Sequence, residues 1–121
     1  MTTQARVDAR IKIERDVVLH LIRTMEKHGW HAGKVWNGEE DVVCTTEEEV
    51  ISAAFAVDEC SIYFYNTKSM RAHSAFLVFG NDGWDVICDY SYSVDDRDNF
   101  KSIMENEVNP YCGAIADKLN P

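Results

Sequence analysis

Three aspartates beside a glycine-rich turn, Asp82, Asp85 and Asp89, are the residues whose type and spacing come nearest to a chemical site. Carboxylates that converge can hold a divalent cation or serve as general acid and base. Asp85 and Asp89 are predicted on one face of a strand, four residues and therefore about 13 Å apart at a rise of about 3.3 Å per residue. Because that distance is too long for one shared ion, the spacing favours turn and strand-face aspartates over a metal or acid–base site.

Histidines and cysteines give no stronger indication of chemistry. His28 and His31 stand three residues apart, but no pattern of cysteines or carboxylates supplies the remaining ligands that zinc requires. The cysteines form no C-x-x-C pair, which favours free, reduced thiols. They are Cys44, Cys60, Cys88 and Cys112. With no nucleophile elbow, phosphate loop or zinc-protease motif present, we predict no catalytic, metal-binding or cofactor-binding residue and a protein that is not an enzyme.

Charge is the most pronounced feature of the composition. The 121 residues carry a formal net charge of −9, which divides into +3 over residues 1–38 and −12 over residues 39–121. This asymmetry allows two interpretations: an acidic interaction surface, or a basic first helix that lies against an acidic remainder within the molecule. Sequence alone leaves both open.

The acidic balance decides which partners are expected. It disfavours nucleic acid and anionic membranes, whose binding depends on lysine and arginine. No apolar run approaches the roughly 20 residues of a membrane span, and no signal-peptide core is visible. We therefore expect a protein of the host-cell cytoplasm that binds a basic protein partner, with a homodimer as an open alternative. The candidate partner-binding residues are Glu39, Glu40, Asp41, Asp82, Asp85, Asp89, Tyr63 and Tyr65. The tyrosines suit an interface, but positions in the core or at its rim are the favoured role for them in a domain of this size.

Two helices are predicted in the first half of the chain. Apolar residues recur at three- and four-residue steps over residues 1–28, which predicts a basic amphipathic helix that Gly29 ends. Thr46-Glu47-Glu48-Glu49 is a capping box, so a second, short helix should begin there and end near Val57.

Strands are predicted around these helices. Asn37-Gly38 predicts the turn of a hairpin. Cys60–Tyr65, Ala75–Phe79 and Trp84–Tyr90 predict a three-stranded meander, with a polar loop over Asn66–His73. Because Ala75–Phe79 is apolar at successive positions, we expect both faces of that strand to be covered.

The last predicted element is a helix over residues 95–119, kinked at Pro110 or divided there into two helices. The chain is thus predicted to be one α+β domain over residues 1–121, in the order α-(ββ)-α-β-β-β-α. Its antiparallel sheet, the meander plus the possible N-terminal hairpin, should pack against the helices.

The segment Phe79–Ser91 resembles a sequence motif of small uncharacterised phage and prophage proteins. Its Gly80-Asn81-Asp82 and Asp85-Val86-Ile87-x-Asp89-Tyr90 correspond to a strand that follows an apolar strand and precedes a terminal helix in those proteins, with Cys88 where serine is expected. The resemblance implies a phage-associated origin and no catalytic residues.

Together these features predict a phage or mobile-element accessory protein that acts by binding a protein, such as an acidic, anti-CRISPR-type inhibitor of a host nucleic-acid-handling defence system. The first alternative is a small self-associating protein with no inhibitory role. The second is a metal-dependent or other small enzyme that uses the Asp82, Asp85 and Asp89 region.

Overall fold

The computed structural model describes residues 2–119 and has the predicted α+β order. The elements are α1 (Thr3–Lys27), β1 (Trp30–Trp36), β2 (Asp41–Val43), α2 (Glu47–Ala54), β3 (Glu59–Asn66), β4 (Arg71–Val78), β5 (Ile87–Tyr90), α3 (Phe100–Ile103), a π-helical turn (Met104–Val108) and α4 (Asn109–Leu119). The five strands form one antiparallel sheet in the order β2-β1-β3-β4-β5. The predicted hairpin and meander are therefore parts of the same sheet.

All the helices pack on one side of this sheet, which we call the helix face. Strand side chains on that side, such as Phe64 and Leu77, are fully buried. The ring of Phe100, at the start of the C-terminal helical segment, contacts Trp30, Phe64 and His73 on the same side. We call the other side the open face, and its side chains are half-buried or exposed.

The apolar stripe of α1 belongs to the core. The buried residues of this helix are Glu14, Val17, Val18, Leu21, Ile22, Thr24 and Met25. On its polar side, Arg23 makes two hydrogen bonds of 2.9 Å to Glu47 of α2, and Lys27 lies 3.2 Å from Glu107. These hydrogen bonds lower the pKa of both glutamates. At these contacts the basic helix does lie against the acidic remainder within the molecule.

The second helix begins as its sequence predicts. The hydroxyl of Thr46 accepts the N–H of Glu49 at 3.2 Å and also donates to the Glu49 carboxylate at 3.1 Å. The helix ends at Ala54, three residues before the predicted end. The capping box therefore sets the position of α2 in the chain.

Two predictions about the meander are wrong. β3 extends to Asn66 and β4 begins at Arg71, so four of the eight residues of the predicted polar loop are strand. Only one face of this strand is covered by helices: Ala75 and Leu77 are fully buried, whereas Phe76 lies half-buried on the open face. The apolar run therefore does not mark a strand that is covered on both faces.

The start of β5 also differs from the prediction. Trp84 lies outside the strand, in a loop that packs against α1: Gly80 donates its N–H to the buried Glu14 carboxylate at 2.7 Å. The register then shifts within β5, because Ile87 opposes Leu77 while Asp89 opposes Phe76. This bulge places Ile87 on the helix face and Asp89 on the open face.

The C-terminal helical segment begins at Phe100, five residues later than predicted. Asp96 precedes it and accepts the N–H of Lys101 at 3.0 Å. Ahead of Pro110 the helix widens into a π-helical turn, in which Asn109 donates to the carbonyl of Met104. A wider turn relieves the clash between a proline ring and the preceding turn, so the segment continues past Pro110 to Leu119.

Candidate functional site

The open face presents its side chains in rows that cross the strands. The first row lies nearest the β1–β2 turn and includes one residue from each of the five strands: Asp41, Trp36, Ser61, Phe76 and Asp89. At a strand spacing of about 4.8 Å, this row is about 19 Å long. It has a carboxylate at each end and an aromatic ring beside each carboxylate.

The second row is centred on Lys34 and Tyr63, which are register partners on β1 and β3. The ammonium of Lys34 lies 4.4 Å from the centre of the Tyr63 ring and 3.5 Å from the carboxylate of Asp41. Burial lowers the pKa of Lys34, but the Tyr65 hydroxyl and the charge of Asp41 raise it by more, so the group is charged. Val43, at the β2 end of this row, is 73% exposed.

The third row pairs Tyr65 with His31 on β1 and with Ala72 on β4. The Tyr65 side chain is 37% exposed, close to the 38% of Trp36 in the first row. His31 lies 2.7 Å from Glu26, which also accepts the N–H of Ala32. The three rows together place four aromatic rings among small and polar side chains, with carboxylates at the margins of the surface.

A set of exposed carboxylates lies at one end of the sheet, which we call the acidic end. The β1–β2 turn, the start of β3 and the β4–β5 loop all lie at this end because the strands are antiparallel. The carboxylates are Glu39, Glu40, Asp58, Glu59 and Asp82. Asn37 fixes the turn by accepting the N–H groups of Glu39 and Glu40, each at 2.9 Å.

Seven of the eight candidate binding residues are spread across the open face and the acidic end, over the full width of the sheet. Asp41, Asp89, Tyr63 and Tyr65 lie on the open face, and Glu39, Glu40 and Asp82 lie at the acidic end.

Asp85 is the exception. It lies outside β5 and close to Cys112 of α4, where burial and the Asp85 charge both raise the thiol pKa. The prediction that Asp85 and Asp89 share one strand face is therefore wrong.

Sequence reasoning did not identify Phe76 as a surface residue. The apolar run from Ala75 to Phe79 resembles a strand buried on both faces, and only the register with Asp89 shows that this ring belongs to the first row. Trp36 is likewise absent from the candidate binding residues that the sequence suggests. Its pairing with Asp41 across the hairpin was the available signal.

A second feature that the sequence did not indicate is a hydrogen-bonded chain from Ser91 through His73 to Asp98. His73 Nε2 donates to Asp98 at 2.8 Å, and Ser91 Oγ lies 3.4 Å from His73 Nδ1. The Asp98 carboxylate also accepts from the Ser93 hydroxyl and from the N–H of Phe100. The order of hydroxyl, imidazole and buried carboxylate is the one that activates a nucleophile in many hydrolases.

The other contacts of Ser91, His73 and Asp98 indicate that this hydrogen-bonded series is structural. Ser91 Oγ accepts the N–H of Ser74 at 2.8 Å and so bridges two strands. The His73 ring packs between Trp30 and Phe100, with ring centres 5.3 and 5.0 Å away. Burial raises the pKa of Asp98, but the hydrogen bonds from His73 and Phe100 lower it by more. The carboxylate therefore holds the segment before α3 against the sheet.

Residues 2–119 were also compared with what a metal site, a reactive thiol and a membrane-spanning helix require. No group of three or more histidine, cysteine, aspartate or glutamate side chains in this range is arranged to hold a metal ion. The four cysteines are free, and burial raises the pKa of Cys60 to about 12. No helix in the same range is both long and apolar enough to cross a membrane.

Comparison with known proteins adds no relative to this description. No protein-family model, no curated protein and no solved structure matches the chain. The open face and the acidic end are therefore the features of the molecule that bear on its function.

Proposed function

We propose that the chain is an accessory protein of a phage or mobile element that works by binding another protein through its open face. The observation that supports this proposal is that helices cover only one side of the sheet, while the other side carries Trp36, Tyr63, Tyr65 and Phe76 in adjacent rows. Contiguous exposed apolar surface marks interaction sites, and tryptophan and tyrosine are enriched among the residues that dominate binding energy.

The charge distribution supports a basic partner. The acidic end adjoins the first row, and the whole chain carries a net charge of −9. Complementary charge accelerates association and suppresses binding to partners of the wrong sign. A nucleic-acid channel of a host defence protein carries the positive charge that complements the acidic end. Occupation of that channel by the acidic end would inhibit the host protein.

Retention of a partner from a lysate of the native host cells, compared between two tyrosine variants, tests the proposal. Tyr65→Ser removes a ring from the open face, and Tyr92→Ser removes one of similar exposure, 45% against 37%, from outside it. We expect Tyr65→Ser to reduce retention of a specific protein and Tyr92→Ser to leave it unchanged. Equal retention by both variants would exclude the open face as the binding surface.

Self-association is the second candidate, and the mixed charge of the open face favours it. Lys34 lies on this face with Asp41 and Asp89, so two copies related by a two-fold axis can oppose unlike charges. Sedimentation equilibrium separates the two functions. A dimer that Tyr65→Ser dissociates, with no other protein retained from the lysate, would favour self-association.

A further inference from the structure

Each carboxylate of the first row stands directly opposite an aromatic ring on the neighbouring strand. Asp41 on β2 opposes Trp36 on β1, and Asp89 on β5 opposes Phe76 on β4. Opposed residues in an antiparallel pair have Cα atoms about 4.5–5.5 Å apart, so a group above the ring is within reach of the carboxylate. The open face therefore offers two ring–carboxylate pairs.

A cation of the chain itself is already bound on this face in the same manner. The Lys34 ammonium lies over the Tyr63 ring, 4.4 Å from its centre, and 3.5 Å from Asp41. The attraction of a ring face for a cation and the charge of a carboxylate act together at that point. A cation from a partner can be held by the same two kinds of group in the first row.

Arginine is the side chain that suits such a pair best. Its planar guanidinium stacks on an aromatic face while its N–H groups donate, in the guanidinium plane, to a carboxylate beside the ring, whereas a lysine ammonium acts as a point charge. Trp36 is accessible for stacking, with 38% of its surface exposed, and Phe76 is half-buried. The two rings lie two strand spacings apart, about 10 Å.

We infer that the first row binds two arginine side chains of the partner, spaced about 10 Å apart as at positions i and i+7 of an α-helix. This inference rests on the proposed function and specifies its partner: a helical segment that presents two arginines on one face. Asp41 and Trp36 receive one guanidinium, and Asp89 and Phe76 receive the other.

A designed peptide provides the test. The probe is an alanine-based helical peptide with arginine at positions i and i+7, compared with versions that carry lysine or the uncharged isostere citrulline. Binding to the full chain is followed through backbone amide shifts in NMR spectra. We expect the arginine peptide to bind most tightly, the lysine peptide more weakly and the citrulline peptide not measurably.

Variants of the full chain assign the binding to the row. Trp36→Leu should weaken the arginine peptide about two- to fivefold, the range of an exposed cation–π contact, and Tyr92→Leu should leave it unchanged. Lys34→Met removes the competing internal cation and should tighten binding by up to about fivefold. If Trp36→Leu does not fold, the same measurement is made with Asp89→Asn. This variant should keep the local structure, because the amide oxygen of the new side chain can still accept the N–H of Tyr90.

The outcomes separate this inference from the proposed function. Equal binding of the arginine and lysine peptides, unaffected by Trp36→Leu, would overturn the inference and leave only general charge attraction. The proposed function would survive that result if Tyr65→Ser still abolished retention of a protein partner. Arginine-specific binding through Trp36, without retention of any protein from the lysate, would instead support arginine binding by the first row and contradict the proposed function.

Discussion

Asp98 connects more parts of the fold than any other carboxylate described here. Its side chain is 1% exposed and accepts hydrogen bonds from His73, Ser93 and Phe100. Asp98→Asn replaces one acceptor oxygen by a donor, so one of these groups loses its partner. We expect the free energy of unfolding to fall by about 1–3 kcal/mol, measured by chemical denaturation. Asp95→Asn, which alters an exposed pair with Arg97, is the control and should leave it almost unchanged.

The same carboxylate gives the stability a definite pH dependence. Because the hydrogen bonds lower the pKa of Asp98 in the folded protein, ionisation stabilises the fold above the unfolded pKa of about 3.9. That contribution is lost as the pH falls through the lowered folded value. The stability difference between the wild type and Asp98→Asn should therefore shrink below about pH 4. A difference that stays constant from neutral pH to pH 3 would contradict this account.

At this scale, sequence reasoning found part of the candidate site. The alternation of Tyr63 and Tyr65 on one strand placed them on one face, and both lie on the open face. The pairing of Phe76 with Asp89 depends on a bulge, and the contact of His73 with Asp98 spans 25 residues. Neither follows from local periodicity, because both depend on how separate strands and loops meet.

At the scale of elements, α2 depends on its cap. Thr46 both accepts from the backbone N–H of Glu49 and donates to its side chain, whereas Thr45 makes only the side-chain contact. Thr46→Ala should lower the free energy of unfolding by about 0.5–2 kcal/mol, and Thr45→Ala by less than about 0.5 kcal/mol. Urea denaturation of both variants measures the difference. Similar losses would mean that the side-chain contacts, and not the capped N–H, hold the start of α2.

The elements with a strong local pattern were predictable. Apolar periodicity marked α1, the capping box marked α2 and Asn37-Gly38 marked the hairpin turn, where Gly38 adopts a φ of 96°. The start of β4 was not predictable, because Arg71 and Ser74 are polar residues whose strand positions are stabilised by hydrogen bonds to Ser93 and Ser91.

The stretch around Trp84 was predicted to be strand but is a loop. Its alternating residues resemble a strand, but the loop is held by α1, where a side chain at Gly83 would meet Ile13 at 3.2 Å. Contacts with a distant helix outweigh the local strand pattern there.

At the scale of the whole molecule, the net charge of −9 predicts how binding responds to salt. Affinity for a basic partner should fall as ionic strength rises from about 0.1 M to about 1 M, because the Debye length falls from about 10 Å to about 3 Å. Combined Glu39→Gln and Glu40→Gln should weaken binding without changing the melting temperature. The control pair is Glu105→Gln with Asp117→Asn on the C-terminal helical segment, which should leave binding unchanged. Affinity that is indifferent to salt and to Glu39 and Glu40 would restrict the interface to the aromatic rows.

The two edges of the sheet set a limit on how an exposed aromatic face can behave in concentrated solution. β2 has three residues and β5 has four, and the N–H of Tyr90 in β5 is taken by the carboxylate of Asp89 at 2.8 Å. Growth of a fibril requires a long, free strand edge onto which another copy can add. Addition of another copy to either edge is therefore disfavoured, whereas copies that meet through their open faces about a two-fold axis form an assembly that closes at two members. The short edge strands thus reduce the tendency of a protein with an exposed aromatic open face to polymerise.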